Sequence, residues 1–201
     1  MLKQRVVTAL VLALLVLGAI FGLENHNQWF ALVMLVPVLA GSWEWSNFMS
    51  LRQPSQRVLY VLLVAVCLLL CWWIGSVWVV ILGGFWWILA LYFVVRYPAG
   101  TNLWTSPEAL GAIGLLVLVP TWLGIVLLQG SVVQGQDLFG PWFLLYVMSL
   151  VWGADTGAYF AGRKWGKAKL APSVSPGKSV AGLLGGLAAA ALLALGVGVL
   201  S

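Results

Sequence analysis

The sequence places its charge where chemistry is easiest to build. Asp155 stands inside an apolar stretch, close to the end that runs into residues 162–179. A carboxylate at the centre of a membrane helix costs about 2.5–3.5 kcal/mol, and less near the interface. Such a residue is kept for function, or it is paired, here with a neighbouring Lys or Arg. Residues 162–179 read Gly-Arg-Lys-Trp-Gly-Lys-Ala-Lys-Leu-Ala-Pro-Ser-Val-Ser-Pro-Gly-Lys-Ser. Five of the ten Lys and Arg in the chain lie there, so the net charge of +5 is a local feature. Gly162, Gly166 and Gly177 permit close backbone approach and positive φ. Ser175-Pro176 has the form of an N-cap followed by proline at the first helical position, which starts a helix there with Lys178 in its first turn. A helix N-terminus beside lysines is an anion site, and phosphate is its natural occupant. The competing reading is topology alone, in which the cations keep the loop inside and touch acidic lipids. That accounts for the charges but not for the Gly and Ser-Pro punctuation.

Other chemistry is excluded by spacing. Gly177-Lys178-Ser179 imitates the end of a Walker A loop, but the glycine required five positions earlier is Pro172, and no strand precedes it. There is no Cys/His cluster, nucleophile elbow or dinucleotide fingerprint. His26 stands alone in a short loop and reads as solvated. Glu44, in Gly-Ser-Trp-Glu-Trp-Ser, is either a second polar ligand or an interfacial partner of Arg52 or Arg57. Cys67 and Cys71 lie one helical turn apart, poorly placed for a disulfide.

The elements that must hold these residues follow from composition. The chain is 63% hydrophobic and 7% charged, against about 25% charged for a soluble domain. The solvent is therefore mostly lipid, and the long unalternating apolar runs specify helices rather than a barrel. In a soluble protein the positive charge would point to nucleic acid; here it does not. Seven segments, about 6–23, 29–49, 58–74, 77–95, 109–128, 138–160 and 180–200, each approach the roughly 20 residues needed to span a bilayer. The expected fold is an all-α polytopic membrane helix bundle of about seven transmembrane helices. It forms one transmembrane domain over 1–201, with a basic loop at 161–179. The first span follows Met-Leu-Lys-Gln-Arg and reads as uncleaved. Lys3, Arg5, Arg52, Arg57, Arg96 and the 163–178 cluster fall on one side if every segment crosses. Glu24, His26 and Asp137 fall on the other. The N-terminus and basic loop are thus expected to be cytoplasmic. Trp29, Trp72, Trp73, Trp78 and Trp142, with Trp43, Trp45, Trp104 and Trp165 at the opposite ends, form interfacial belts. Gly153-x-x-x-Gly157, Ala158-x-x-x-Gly162 and Gly182-x-x-x-Gly186 are small-residue stripes that let spans six and seven pack closely, on each other or on neighbours.

Residues 144–160, Leu-Leu-Tyr-Val-Met-Ser-Leu-Val-Trp-Gly-Ala-Asp-Thr-Gly-Ala-Tyr-Phe, followed by the 162–179 segment, closely resemble the phosphatidate cytidylyltransferase, or CDP-diacylglycerol synthase, family of bacterial type. The Met-Leu-Lys-x-Arg start and Trp43-Glu44-Trp45 also resemble it. The resemblance is specific mainly from Leu144 to Gly186. It implies a membrane nucleotidyltransferase of phospholipid biosynthesis, in the bacterial inner membrane, that condenses CTP with phosphatidic acid to give CDP-diacylglycerol and pyrophosphate. It implies Asp155 as catalytic residue and metal ligand, with Mg²⁺ as cofactor. Lys167, Lys169, Ser175, Lys178 and Ser179 are expected on substrate phosphates, with Glu44 and Arg163 as polar support. Membrane lipids are further partners, and a homodimer stays open. Ser179 occupies the position of a family hydroxyl, and Ala181 replaces an acidic or amide residue, so no role is assigned to it. A downstream family signature, with Pro-Gly-His-Gly-Gly and Asp-Arg-x-x-Asp runs that supply carboxylates for metal, does not occur within residues 1–201. The expectation is an N-terminal fragment, inactive by itself. The alternatives are a transporter or a scaffold that binds anionic lipid or solute.

Overall fold

Among the described residues the long apolar runs fold into seven α-helices, because a chain in lipid must satisfy its backbone within each segment. The computed structural model describes residues 2–22, 26–133 and 138–200. The helices are α1 (Leu2–Phe21), α2 (His26–Trp45), α3 (Pro54–Ile74), α4 (Val77–Arg96), α5 (Pro107–Gln129), α6 (Phe139–Trp165) and α7 (Val180–Leu200). Among the described residues five of them, α3 to α7, are long and apolar enough to cross a bilayer. Glu24 and Asp137, expected in the loops opposite the basic one, lie outside the described residues, as do the side chains of Lys3, Arg5 and His26.

The helix ends follow local chemistry. Pro54 opens α3 at a position where its missing N–H costs nothing, and Gly75 closes it in the left-handed region with φ 62°, its N–H returning to the Cys71 carbonyl. Ser106 caps α5 by accepting from the Ala109 N–H at 3.2 Å, with Pro107 next in line.

The chain divides into two compact units, 1–93 with 100–141, and 94–99 with 142–201. In the first, α5 packs against α2 and α3 around Trp122, Leu123, Tyr60, Val64 and Phe30, all buried. Polar side chains in this core are tied to backbone carbonyls. The Trp45 indole donates to Leu110 at 2.8 Å, the Tyr60 hydroxyl to Gly111 at 3.1 Å, and the Trp122 indole to Ala31 at 3.3 Å. A side chain at Gly114 would meet the Trp45 indole nitrogen at 2.6 Å, so glycine there admits the two aromatics. Trp45 is therefore a half-buried side chain of α2 tied to α5, not a freely exposed belt anchor. Trp29, Trp73, Trp78, Trp142 and Trp165 are exposed, as a belt requires. Cys67 and Cys71 are free thiols.

In the second unit α6 and α7 run against each other along their small residues. A Cβ on Gly186 would stand 2.9 Å from the Ala154 carbonyl, and one on Gly157 2.5 Å from the Gly185 carbonyl. The stripe expectation thus resolves to α6 on α7. The segment expected as a loop is more ordered than a loop. Residues 161–165 complete α6, and β1 (Lys169–Ala171) pairs antiparallel with β2 (Ser175–Ser179).

Candidate functional site

The hairpin corrects the reading of Ser175-Pro176 as the start of the last helix. Ser175 pairs with Ala171 and Ser179 with Lys169, so three residues of β2, Pro176, Gly177 and Lys178, stand opposite Leu170 alone. Proline cannot donate to a ladder, and the strand accommodates it with an irregularity that re-aims the residues that follow. The helix begins four residues later than the Ser-Pro signal implied. Its cap is Ser179, whose Oγ accepts from the Gly182 N–H at 3.1 Å. The Val180 N–H donates to Ala168 at 3.0 Å, which ties the helix start to the approach of β1. Lys178 consequently lies in the strand just before the helix, not in its first turn.

These elements enclose a cleft of about 790 Å³, whose walls include Asp155, Tyr159 and Arg163 from α6, Leu170 from β1, and Lys178 and Ser179 from β2. Asp155, Tyr159 and Arg163 follow one another at intervals of four on a single face of α6, the spacing at which helical side chains stack. The Arg163 guanidinium donates to the Tyr159 hydroxyl at 3.1 Å. Asp155, Arg163 and Lys178 are exposed to the cleft, whereas Ser179 is buried, with its Oγ 3.2 Å from where a Cβ on Gly162 would lie. Glycine at 162 and 182 lets the cap and the two helices meet so closely.

Of the residues expected from the sequence, Asp155, Arg163, Lys178 and Ser179 are brought together. Lys167 and Lys169 are exposed on the turn and on β1, outside the lining, and half-buried Ser175 sits on β2 away from it. Glu44 belongs to the first unit. Its carboxylate accepts from Asn47 at 3.2 Å, and the Asn47 side-chain oxygen accepts from Arg57. Of the two partners expected for Glu44 as an interfacial residue, Arg52 or Arg57, it is linked to Arg57, through Asn47. Arg57 also lies 5.5 Å from the centre of the Trp43 ring. Tyr159 is the site residue that the sequence reading passed over; its position four residues from both Asp155 and Arg163 was the available signal.

The cleft joins one carboxylate to two cations and a helix start at the end of a membrane-helix pair. Cations beside a helix start are the kind of groups that phosphates favour, and the long apolar helices define a polytopic membrane protein. Residues 3–200 match the Cytidylyltransferase family, and the chain belongs to that family. It is 43% identical to the phosphatidate cytidylyltransferase of Pseudomonas aeruginosa over 94% of this chain and 67% of the relative. It is 38% identical to that of Haemophilus influenzae, over 96% of this chain and 72% of the relative. A Bacillus subtilis phosphatidate cytidylyltransferase is 31% identical over 53% of this chain. No solved structure matches.

Proposed function

We infer that this chain carries part of the active site of a membrane cytidylyltransferase that joins CTP to phosphatidic acid. The observation that carries the reading is the cleft lined together by Asp155, Lys178 and Arg163 at the end of an apolar helix pair, in a chain of this family. A phosphate oxygen of the lipid attacks the α-phosphorus of CTP. A new P–O bond forms, the bond from the α-phosphorus to the bridging oxygen breaks, and pyrophosphate leaves with its electron pair. A phosphate monoester is already a competent nucleophile, so the protein's work is positioning and charge neutralisation. Lys178 and Arg163 offset the charge of the phosphates as they approach. Arg163 presents a planar fork of donors, and Tyr159 holds it in place.

Mg²⁺ is expected with such a reaction. When bound, it would neutralise phosphate oxygens. Asp155 can supply one oxygen ligand to an ion otherwise held by substrate phosphates and water. A two-metal clamp needs further carboxylates, and the described residues contain no group of three or more His, Cys, Asp or Glu placed to hold a metal. The described residues therefore do not by themselves make that clamp.

The reading is tested on the whole enzyme in proteoliposomes, by following transfer of radiolabelled cytidylate from CTP to phosphatidic acid. The wild type should form a labelled lipid and release pyrophosphate. Asp155→Asn should lower turnover about 100-fold or more while membrane insertion stays normal. Near-wild-type turnover of Asp155→Asn would remove Asp155 from the site.

A further inference from the structure

Arg163 is a wall of two hollows. One is the cleft with Asp155 and Lys178; the other, of about 440 Å³, is lined by Phe160, Arg163, Lys164 and Trp165. Their chemistry differs. The cleft offers a carboxylate, an ammonium, the backbone of a strand irregularity and a guanidinium, which suits a ligand with hydrogen-bonding groups of both kinds along its length. The second hollow offers two cations and two rings and has no acidic wall. Phe160 and Trp165 are 64% and 62% exposed, and the Lys164 ammonium lies 4.8 Å from the centre of the Trp165 ring. A ligand matching it carries a compact anion beside apolar chains.

The position agrees. α6 has 27 residues, which at 1.5 Å per residue is about 40 Å, some 10 Å more than the hydrocarbon core. Arg163 and Lys164 fall in its last turn, and charged ends are expelled from hydrocarbon, so the excess belongs at that end, at headgroup level, where lipid phosphates lie and where exposed aromatic rings and lysines are stable.

We propose that the Phe160–Lys164–Trp165 hollow seats the phosphate monoester of the diacyl lipid, that the Asp155–Lys178 cleft seats the nucleotide, and that Arg163 bridges the two phosphates at their shared wall. This rests on the cytidylyl-transfer reading and assigns its two substrates to separate places. The lipid enters sideways from the bilayer, the nucleotide from water, and the guanidinium held by Tyr159 lies between them. Five N–H donors in one plane allow Arg163 to contact anions on both sides.

The test is a two-substrate kinetic analysis of the whole enzyme in phosphatidylcholine vesicles of graded phosphatidic acid content. Lys164→Ala and Trp165→Ala should each raise the apparent KM for phosphatidic acid about tenfold, as expected for loss of a contact to a charged group, and leave the KM for CTP within about twofold. Lys178→Ala should do the reverse, and Arg163→Ala should raise both. Lys164→Arg and Trp165→Phe should restore most of the lipid affinity, which separates a lost contact from a misfolded helix end. The assignment is overturned if Lys164→Ala and Trp165→Ala leave the lipid KM unchanged, or raise the CTP KM equally. It is also overturned if added phosphatidylglycerol abolishes the Lys164→Ala effect, because the hollow would then be a general anionic-surface contact. A wild-type enzyme that forms no cytidylyl lipid at all refutes the transferase reading itself. An active wild type without the split refutes only the assignment.

Discussion

At the scale of single residues, the cleft depends on how firmly Arg163 is held. An arginine side chain carries roughly 2 kcal/mol of rotamer entropy, and an unheld one would lose it on meeting phosphate. The Tyr159 hydroxyl accepts from it at 3.1 Å and so restrains it beforehand. Tyr159→Phe keeps the ring and its edge-on contact with Phe160, with centroids 5.3 Å apart, and removes only the acceptor. The expected loss is a two- to tenfold fall in kcat/KM, the worth of about 0.5–1.5 kcal/mol for one hydrogen bond. In an Arg163→Ala background the same change should have no further effect, because the residue it positions is gone. Additive losses in the double variant would show that Tyr159 acts on its own. Asp155 and Lys178 needed no structure to be singled out, since a carboxylate in an apolar helix and a lysine among glycines are visible by type. Tyr159 was passed over because an aromatic at an interface has a common alternative explanation as an anchor, and only the hydrogen bond to Arg163 distinguishes the two.

Secondary-structure elements decide which of the sequence signals are used. The sequence marks Ser175-Pro176 as a helix start whereas the structure puts the cap at Ser179, and the two readings separate cleanly by experiment. Because the Ser179 hydroxyl caps α7, Ser179→Ala should cost about 1 kcal/mol of stability, read as a lower melting temperature in detergent. Ser175→Ala should change it little. The opposite order would return the helix start to Ser175. The sequence misplaced this boundary because capping preferences are local, whereas the hairpin is fixed by a partner strand. Lys169–Ala171 is too short and too charged to be read as a strand without its mate. The small-residue stripes, in contrast, were legible, since close helix contact in lipid requires small side chains at regular spacing. Their use is testable within one helix. Gly185→Val should destabilise by about 1–3 kcal/mol, because its Cβ would sit 2.8 Å from the Gly157 carbonyl. Gly196→Ala, where nothing lies within 4 Å, should be tolerated. Equal melting temperatures for the two variants would deny that α6 and α7 pack through this face.

At the scale of the molecule, the helices were legible from the apolar runs, with boundaries within a few residues of expectation, though among the described residues five rather than about seven are long and apolar enough to cross a bilayer. The core of the first unit was not legible, because in a helix that is apolar all round nothing in the sequence says which side meets protein and which meets lipid. Trp122 is buried and Trp78 is 70% exposed, yet both sit in apolar surroundings. The orientation in the membrane rests on the placement of cations. Lys3 and Arg5 precede most of α1, Arg52 and Arg57 flank the start of α3, Arg96 ends α4, and the remaining five lie between Arg163 and Lys178. If all seven helices cross, these positions share a face, and the Gly75-Ser76 turn between α3 and α4 lies on the other. The proposed cytidylyl transfer calls for the same face for the hairpin, because a charged nucleotide does not cross the bilayer to reach Lys178. In a Cys67→Ala, Cys71→Ala background, Lys167→Cys should react with a membrane-impermeant maleimide in inverted inner-membrane vesicles and not in intact spheroplasts. Ser76→Cys should show the reverse. Labelling of Lys167→Cys from the outer side would leave the cleft out of reach of cytoplasmic nucleotide, so a single result of that kind would refute the orientation and, with it, cytidylyl transfer at this cleft.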